Sequence, residues 1–538
     1  MNDTKELQIA QPSTYSRRSR ESRETMSLEE DLNFQEQKQE ESRRLRQFHL
    51  GASHHFKILL LSILVTALAV VLPYMASFMT EYHQFNLYTG MMMARNQLPY
   101  SDVFTTGGFL FYGIIGLSQV LGSQLYLLGV QFLALYVSGI YLSKIILFYT
   151  DNASASMAGG LAFYLANLTL GFGGFYPMQW ASPFVLMGLW YLIRYFAEMT
   201  KDEGFILYGV NAALALFFEP RTLIFWVIAF VLLSGYNIVH KRLARGFYQN
   251  LAITFGLMVV FYTVGYFVFT FELIVPYLRQ VLFYNFTHLS WGINSLWQAA
   301  LLQIGLAFFS GLLLGAIVFF EYMRKVKTNR LSSVLIFLSL LVYIILAALS
   351  KSWAFYQLLP ALPFGIILTI ISLAGFAKQR ASRRHSHRRQ EAERSLWGTF
   401  IFSHLCGPLA LIVIAAALPF YRNMQETKQD SERIAIANYL KDKDNIADEE
   451  SVVVVDHQID IYLLSERRTA THYPVSSLYQ ASDDRIKDFE DDFLSSQSQL
   501  VIVNNGSVLS ESVQDNLTKY YTQLSLDGVE HFTVYQLK

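Results

Sequence analysis

The chain has 538 residues, of which 53% are hydrophobic, 15% aromatic and only 16% charged, and its formal net charge is zero. Soluble domains carry roughly one-quarter charged residues, so an ordinary soluble enzyme is excluded and a membrane protein is indicated. The single cysteine, Cys406, lies in an apolar run, which rules out an internal disulfide or a cysteine-rich metal site.

Residues 1–56 are polar, rich in Arg, Glu, Gln and Ser, and read as a disordered cytoplasmic tail with no cleavable signal peptide. The run from Phe56 to Phe78 is long enough to span and reads as an uncleaved anchor. Further apolar runs begin near residues 107, 124, 155, 180, 204, 222, 250, 298, 331, 353 and 398, twelve in all with the first. The basic segments "HKRLAR" (240–245), "RKVKTNR" (324–330) and "KQRASRRHSHRRQEAER" (378–394) belong in the cytoplasm by the positive-inside rule. A cytoplasmic N-terminus and an external segment after residue 420 demand an odd number of crossings, so twelve is one too many. The run from Gly107 to Val120 has the length of a re-entrant or interfacial segment and is removed. The expected fold is a polytopic α-helical membrane domain over 57–420 with about 11 spans (range 11–13) and a first external loop at 79–106. An extracytoplasmic α/β domain follows over 421–538.

In that last domain "SERIAIANYLKDK" has helical spacing, "SVVVVD" and "QLVIVNN" are short β-branched runs, a helix is expected over 511–523, and "HFTVYQL" closes the chain as a strand. Alternation of strands and helices predicts a small, largely parallel sheet.

The first loop carries the chemistry. If 81–96 is a helix lying at the membrane surface, Glu81, Gln84, Tyr88 and Arg95 share one face, while Phe85, Met92 and Met93 dip into lipid or pack on the bundle. After the Pro99-Tyr100 turn, Asp102 brings a second acid toward the same layer, and Gly107 and Gly108 allow close backbone approach. Two acids at a membrane boundary form a candidate base site; as a plain alternative, each simply caps a helix or turn. His54, His55, His385 and His387 have no partners at metal-ligand spacing. No Walker-type glycine loop and no G-x-S-x-G is present.

The order of an acid, an aromatic-rich helix, "PYSDVF" and a Gly-led apolar run over 81–112 resembles the first external loop of the GT-C glycosyltransferases. That membrane family includes the protein O-mannosyltransferases and aminoarabinose transferases. "FFEPRTLIFW" (217–226) and "KSWAFYQLLPALPFG" (351–365) resemble two further junctions of the family, and residues 451–474 resemble its external α/β domain. The resemblance implies a polyprenyl-phosphate-linked sugar as donor and an acidic residue of the first loop as base. Glu81 takes that role by position, with Asp102 orienting the acceptor or serving as base itself. A carboxylate suits the task because partial burial raises its pKa toward the working range. The departing phosphate needs fixed cations or donors, for which Arg221 stands first, followed by Lys351, Arg279 and Tyr356. For Arg221 the alternative is a salt bridge to Glu219. Gln84, Tyr88, Arg95, Tyr100 and His288 are candidates for positioning donor or acceptor.

The function expected from the resemblance is sugar transfer from a polyprenyl-phosphate donor to a cell-envelope acceptor on the external face of the membrane. That acceptor is a glycan, a teichoic-acid-type polymer, a lipid or a protein. The expected partners are membrane lipid, lipid-linked sugar and that acceptor, with no nucleic acid, no assigned metal ligands and any divalent-metal requirement open. The alternative is a non-catalytic GT-C-like scaffold for envelope polymer assembly. A transporter is disfavoured, because ionisable groups at mid-membrane and internal repeats are both missing from the sequence.

Overall fold

The computed structural model describes residues 50–287, 295–325, 329–382, 406–418, 421, 424, 427–442, 447, 450–480 and 482–538. Ala52–Lys538 hold together as one contact unit. Among the described residues, four helices are long and apolar enough to cross a membrane: Leu125–Thr150, Pro220–Val239, Leu243–Thr270 and Arg330–Leu349. The pair Leu296–Phe309 and Leu314–Glu321, bent by 73°, makes a fifth if it is one broken span. Outward faces of these helices carry bare apolar side chains such as Phe247, Phe255, Tyr262 and Phe269. Water penalises such a surface and hydrocarbon does not.

The first apolar run is not the single span expected of it. Helix α1, Ala52–Thr66, has 15 residues, and a separate turn of 3₁₀ helix covers Pro73–Phe78. Pro73 has no N–H to give and disfavours helix at the residue before it. Between the two, the Val70 N–H donates to the Gly173 carbonyl at 2.9 Å, which diverts the chain into the bundle. The run from Gly107 gives a 12-residue helix, Phe109–Val120. Other apolar runs form helices that share the bundle interior, among them Pro177–Phe196, whose buried face includes Gln179 and Trp180. The basic segment from residue 383 to 394 lies outside the described residues, as do 398–405 and 419–420 of the run expected to begin near 398, whose part Cys406–Leu418 is an apolar helix.

Helix α2, Glu81–Met93, begins at Thr80, whose hydroxyl and backbone N–H both meet His83 Nδ1. The sequence placed this helix on the membrane surface with Met92 and Met93 toward lipid or the bundle. Instead Tyr88, Met91 and Met92 are buried in a core shared with Val452, Val454, Tyr462 and Ile502 of the C-terminal module, and Phe85 packs against it. Flexible thioethers fill irregular gaps between two protein surfaces well. On its other side α2 crosses Phe109–Val120 closely. A Cβ on Gly90 would lie 2.5 Å from the Ile115 Cβ, so only glycine permits that approach.

The C-terminal module is a five-stranded sheet in the order β2-β1-β3-β5-β4. Its strands are β1 (Ser451–Val455), β2 (Arg468–Thr469), β3 (Leu500–Asn504), β4 (Tyr521–Leu524) and β5 (Phe532–Leu537). β1 pairs in parallel with β2 and β3, but β5 runs antiparallel to both β3 and β4. The sheet is therefore mixed, against the largely parallel expectation. The helix expected over 511–523 stops at Tyr520, because residues 521–524 pair with β5 as an edge strand.

Just past β1, Asp456 accepts from Arg433 Nε at 2.8 Å and from Asn504 Nδ2 at 2.8 Å. Burial would push the Asp456 carboxyl up, but hydrogen bonds from His457 and Arg433 and the Arg433 charge outweigh it and hold the group well below the usual carboxylate range.

The shared core sets a prediction. Met92→Ala is expected to cost about 2–5 kcal/mol, read as a lower melting temperature in detergent together with faster proteolysis of the module. Met93→Ala, at a partly exposed position, is expected to leave both near wild type.

Candidate functional site

Two cavities meet at α2. The larger, of about 790 Å³, is lined by Glu81, Tyr82 and Gln84 of α2, by Tyr176, by residues 352–356, and by Asp430, Gln458 and Asp460 of the module side. The smaller, of about 180 Å³, is lined by Tyr82, Thr105, Gly107, Glu219, Arg221, Asn285, Tyr356, Gln357 and Arg485, among others. Tyr82 and Tyr356 line both. Their rings stack at 4.3 Å between centroids, and Tyr176 stacks on both at 5.5 and 5.2 Å. A wall of phenol rings thus separates a chamber containing Glu81 from one containing Arg221. The Tyr356 phenol is protonated at neutral pH and able to donate.

In the smaller chamber Arg221 Nε and Nη2 donate to the two carboxylate oxygens of Glu219, each at 2.9 Å, and Nη1 donates to Gln357 Oε1 at 2.8 Å. The backbone explains the pairing. Glu219 ends the helix Phe205–Phe218, Pro220 starts a 3₁₀ turn, and the Glu219 side chain also caps the Arg221 N–H. Gly108 presses on this junction: a Cβ there would sit 2.0 Å from the Phe217 carbonyl oxygen.

The sequence candidates scatter around this centre. Glu81 lines the larger cavity. Asp102 does not; it is half-buried, accepts from the Leu98 N–H at 2.7 Å and closes the turn of "PYSDVF". Tyr100, with a left-handed backbone (φ 71), donates to the Gly107 carbonyl at 2.8 Å and lies in the same turn. The Phe104 N–H donates to the His472 carbonyl at 2.8 Å, so the motif is a strut between bundle and module.

The shared face of α2 does exist, and it looks to the module. Gln84 donates to Asp460, the Tyr88 hydroxyl donates to the Arg467 carbonyl at 3.1 Å and accepts from the Thr469 N–H at 3.0 Å, and Arg95 pairs with Glu466. Arg95 lies past the end of α2 at Met93, where the expected helix over 81–96 stops short, and of the three residues only Gln84 also lines the larger cavity. Lys351, with φ 52, precedes Ser352 of the lining but faces neither chamber; Arg279 is exposed and lines a third cavity. His288 lies outside the described residues. Among the described residues, no three His, Cys, Asp or Glu side chains come together as metal ligands.

Residues 43–427 match the family model described as "Putative competence-induced protein Ccs4 N-terminal domain", and residues 430–538 match that of the Ccs4 C-terminal domain. The chain belongs to the Ccs4 family. The family description gives an occasion of expression and no chemistry. No curated protein sequence matches the chain. Among solved structures, it is similar to ArnT from Cupriavidus metallidurans in the apo state, with a TM-score of 0.52 at 11% identity over 84% of this chain and 92% of that one. ArnT from the same organism bound to undecaprenyl phosphate gives 0.50 at 10% identity with the same coverage. The likeness is one of fold, and this member of the Ccs4 family has a GT-C-like one.

Two residues of the site escaped the sequence reading as functional parts. Glu219 was weighed only as a partner for Arg221, although an acid in "FFEPR" between apolar runs is a signal for a buried pair. Arg485 gave no signal, because its helix reads as a solvated acidic surface. His83 was also unmarked: it is buried, its Nε2 meets the Gly174 carbonyl at 2.9 Å, and burial pushes its pKa down to about 4.

Breaking the buried pair with Glu219→Gln is expected to cost about 3–5 kcal/mol in thermal melts, because the guanidinium stays buried without its charge partner. Exposed Glu81→Gln is expected to change stability by no more than about 0.5 kcal/mol. His83 stays neutral in the fold while its unfolded form takes a proton below about pH 6.5. Its contribution is therefore intact above that pH and falls by about 1.4 kcal/mol per unit down to about pH 4. Melting curves of His83→Gln are expected to lose that part of the acid slope.

Proposed function

We propose that the chain is a membrane glycosyltransferase that moves a sugar from a polyprenyl-phosphate donor to a hydroxyl of a cell-envelope acceptor. In this reading Glu81 is the general base. The acceptor oxygen bonds to the anomeric carbon, its proton passes to the Glu81 carboxylate, and the bond from that carbon to the phosphate oxygen breaks with its electron pair on the phosphate. Back-side attack inverts the anomeric centre. The acceptor enters the larger chamber, the phosphate lies in the smaller one near Arg221, Gln357 and Tyr356, and the sugar sits at the ring wall between them. The module and both chambers face the outside, the N-terminus lies in the cytoplasm, and eleven crossings satisfy that orientation.

One observation carries the reading: a carboxylate and a guanidinium line two chambers that share the same pair of phenol rings. ArnT, of like fold, has a structure with undecaprenyl phosphate bound, which fits such a donor here. Among the described residues, the ionisable carboxyl groups lining the larger chamber are Glu81, Asp430 and Asp460, and no Lys, Arg or His joins them. A neutral glycan or lipid hydroxyl suits that lining better than an anionic polymer does.

The second reading is a non-catalytic scaffold, favoured by one fact: Asp102 is committed to a turn and Arg221 to Glu219. Transfer of labelled sugar by purified protein separates the two. Glu81→Gln is expected to lower the rate about 10²–10⁴-fold with melting unchanged, and envelope glycans from cells carrying it are expected to lose mass. No sugar transfer by the purified wild type, with envelope glycans unchanged in cells carrying Glu81→Gln, would leave the scaffold.

A further inference from the structure

The smaller chamber is closed on one side by the C-terminal module, through Ser477, Leu478 and Arg485. Arg485 lies in the first turn of the helix Asp483–Ser496 and is only 8% exposed. Its guanidinium lies 4.9 Å from the Tyr284 ring centre and 5.4 Å from that of Phe104. Nε donates to Ser482 Oγ at 3.2 Å, Nη1 donates to the Leu478 carbonyl, and the Tyr284 hydroxyl is hydrogen-bonded as well. None of these partners is a carboxylate, and Arg485 forms no ion pair among the described residues. Arg221 and Arg433, comparably buried, each hold one.

Buried charges are normally paired, because an isolated one forfeits its hydration without compensation. Aromatic faces offset that loss only in part. Asp484, Asp488, Asp491 and Asp492 line a neighbouring cavity that shares Phe104, Tyr284 and Arg485 with the small chamber. Among the described residues lining the small chamber the sole carboxylate is Glu219, and Arg221 already takes both its oxygens. Arg485 is thus the charge there with no counter-ion in contact. The same chamber is lined by the neutral polar side chains of Gln357, Tyr356 and Thr106, whereas Asn285 Nδ2 is taken by the Thr106 and Val281 carbonyls and Thr105 by Gln280 and Tyr112. A phosphate is the anion that a guanidinium with surrounding hydroxyl and amide donors fits best.

We infer that Arg485, contributed by the C-terminal module, binds the phosphate of the lipid carrier in this chamber, while Arg221 is held behind it by Glu219. The module is then part of the donor site and not only a cover. The identity of the lipid rests on the transferase reading; the anion site does not.

The test measures binding of undecaprenyl phosphate, undecaprenol and inorganic phosphate to the full chain in nanodiscs. Wild type is compared with Arg485→Gln and with Lys487→Gln, an exposed position on the same helix that lines neither cavity. Undecaprenyl phosphate is expected to bind wild type and Lys487→Gln alike and Arg485→Gln at least tenfold more weakly, with undecaprenol indifferent to all three. If Arg485→Gln fails to fold, Arg485→Met keeps the packing against Phe104 and Tyr284 and serves in its place. Equal undecaprenyl phosphate affinity in a folded charge-deleted variant overturns the inference and leaves the transferase reading standing. Inorganic phosphate that binds through Arg485, with no binding of the lipid, supports the anion site and overturns the carrier as its occupant. No binding of either phosphate to wild type overturns the anion site.

Discussion

The constraint on which the rest of the structure depends is the wedging of the helix Glu81–Met93 between the bundle and the sheet module. At its start, His83 reaches the Gly174 carbonyl in the bundle. At its middle, Tyr88, Met91 and Met92 complete the core of the module. Between them Gly90 lets Phe109–Val120 approach. Glu81 and Tyr82 are placed by all three attachments at once, so the cavity floor inherits its geometry from packing on both sides. A helix resting on lipid would have no such fixed azimuth, since hydrocarbon accepts any apolar face equally.

Charge does a different job from packing. The pairs Arg221–Glu219 and Arg433–Asp456 are buried and forked, and their main effect is to make one arrangement of each junction far better than any other. Exposed pairs such as Arg242–Glu198 lie where water competes for both ions and add little. One forked pair lines the smaller chamber, and the other fixes the helix Thr427–Lys441 to the end of β1. The phenol wall needs neither; it is held by ring stacking and by its neighbours in the bundle.

Legibility in the sequence followed the range of the interactions. Strands β1, β3 and β5 announced themselves in β-branched runs, and the helix after Thr80 was readable, although it stops at Met93 and leaves Arg95 beyond its end. What that face touches was not readable, because Asp460, Glu466 and Thr469 lie more than 370 residues away and no local pattern encodes them. "PYSDVF" stood out as chemistry and proved to be a turn, since Asp102 bonds four residues back to Leu98. The first apolar run misled because hydropathy averages over Pro73, whereas the backbone does not. The GT-C-like fold was legible through the order of segments along the chain, a feature that survives when individual residues have changed.

The separation between Gln84 and Asp460, 376 positions, has a consequence for synthesis. A ribosome adding roughly 5–20 residues per second makes the wedge helix long before the sheet that must cover it. During that interval, on the order of 20–75 seconds at those speeds, a Met-rich, Tyr-bearing surface exists with its partner still unmade. Nascent chains arrested before residue 450 should therefore be the most sticky, and the last strands to leave the tunnel are those that end the exposure.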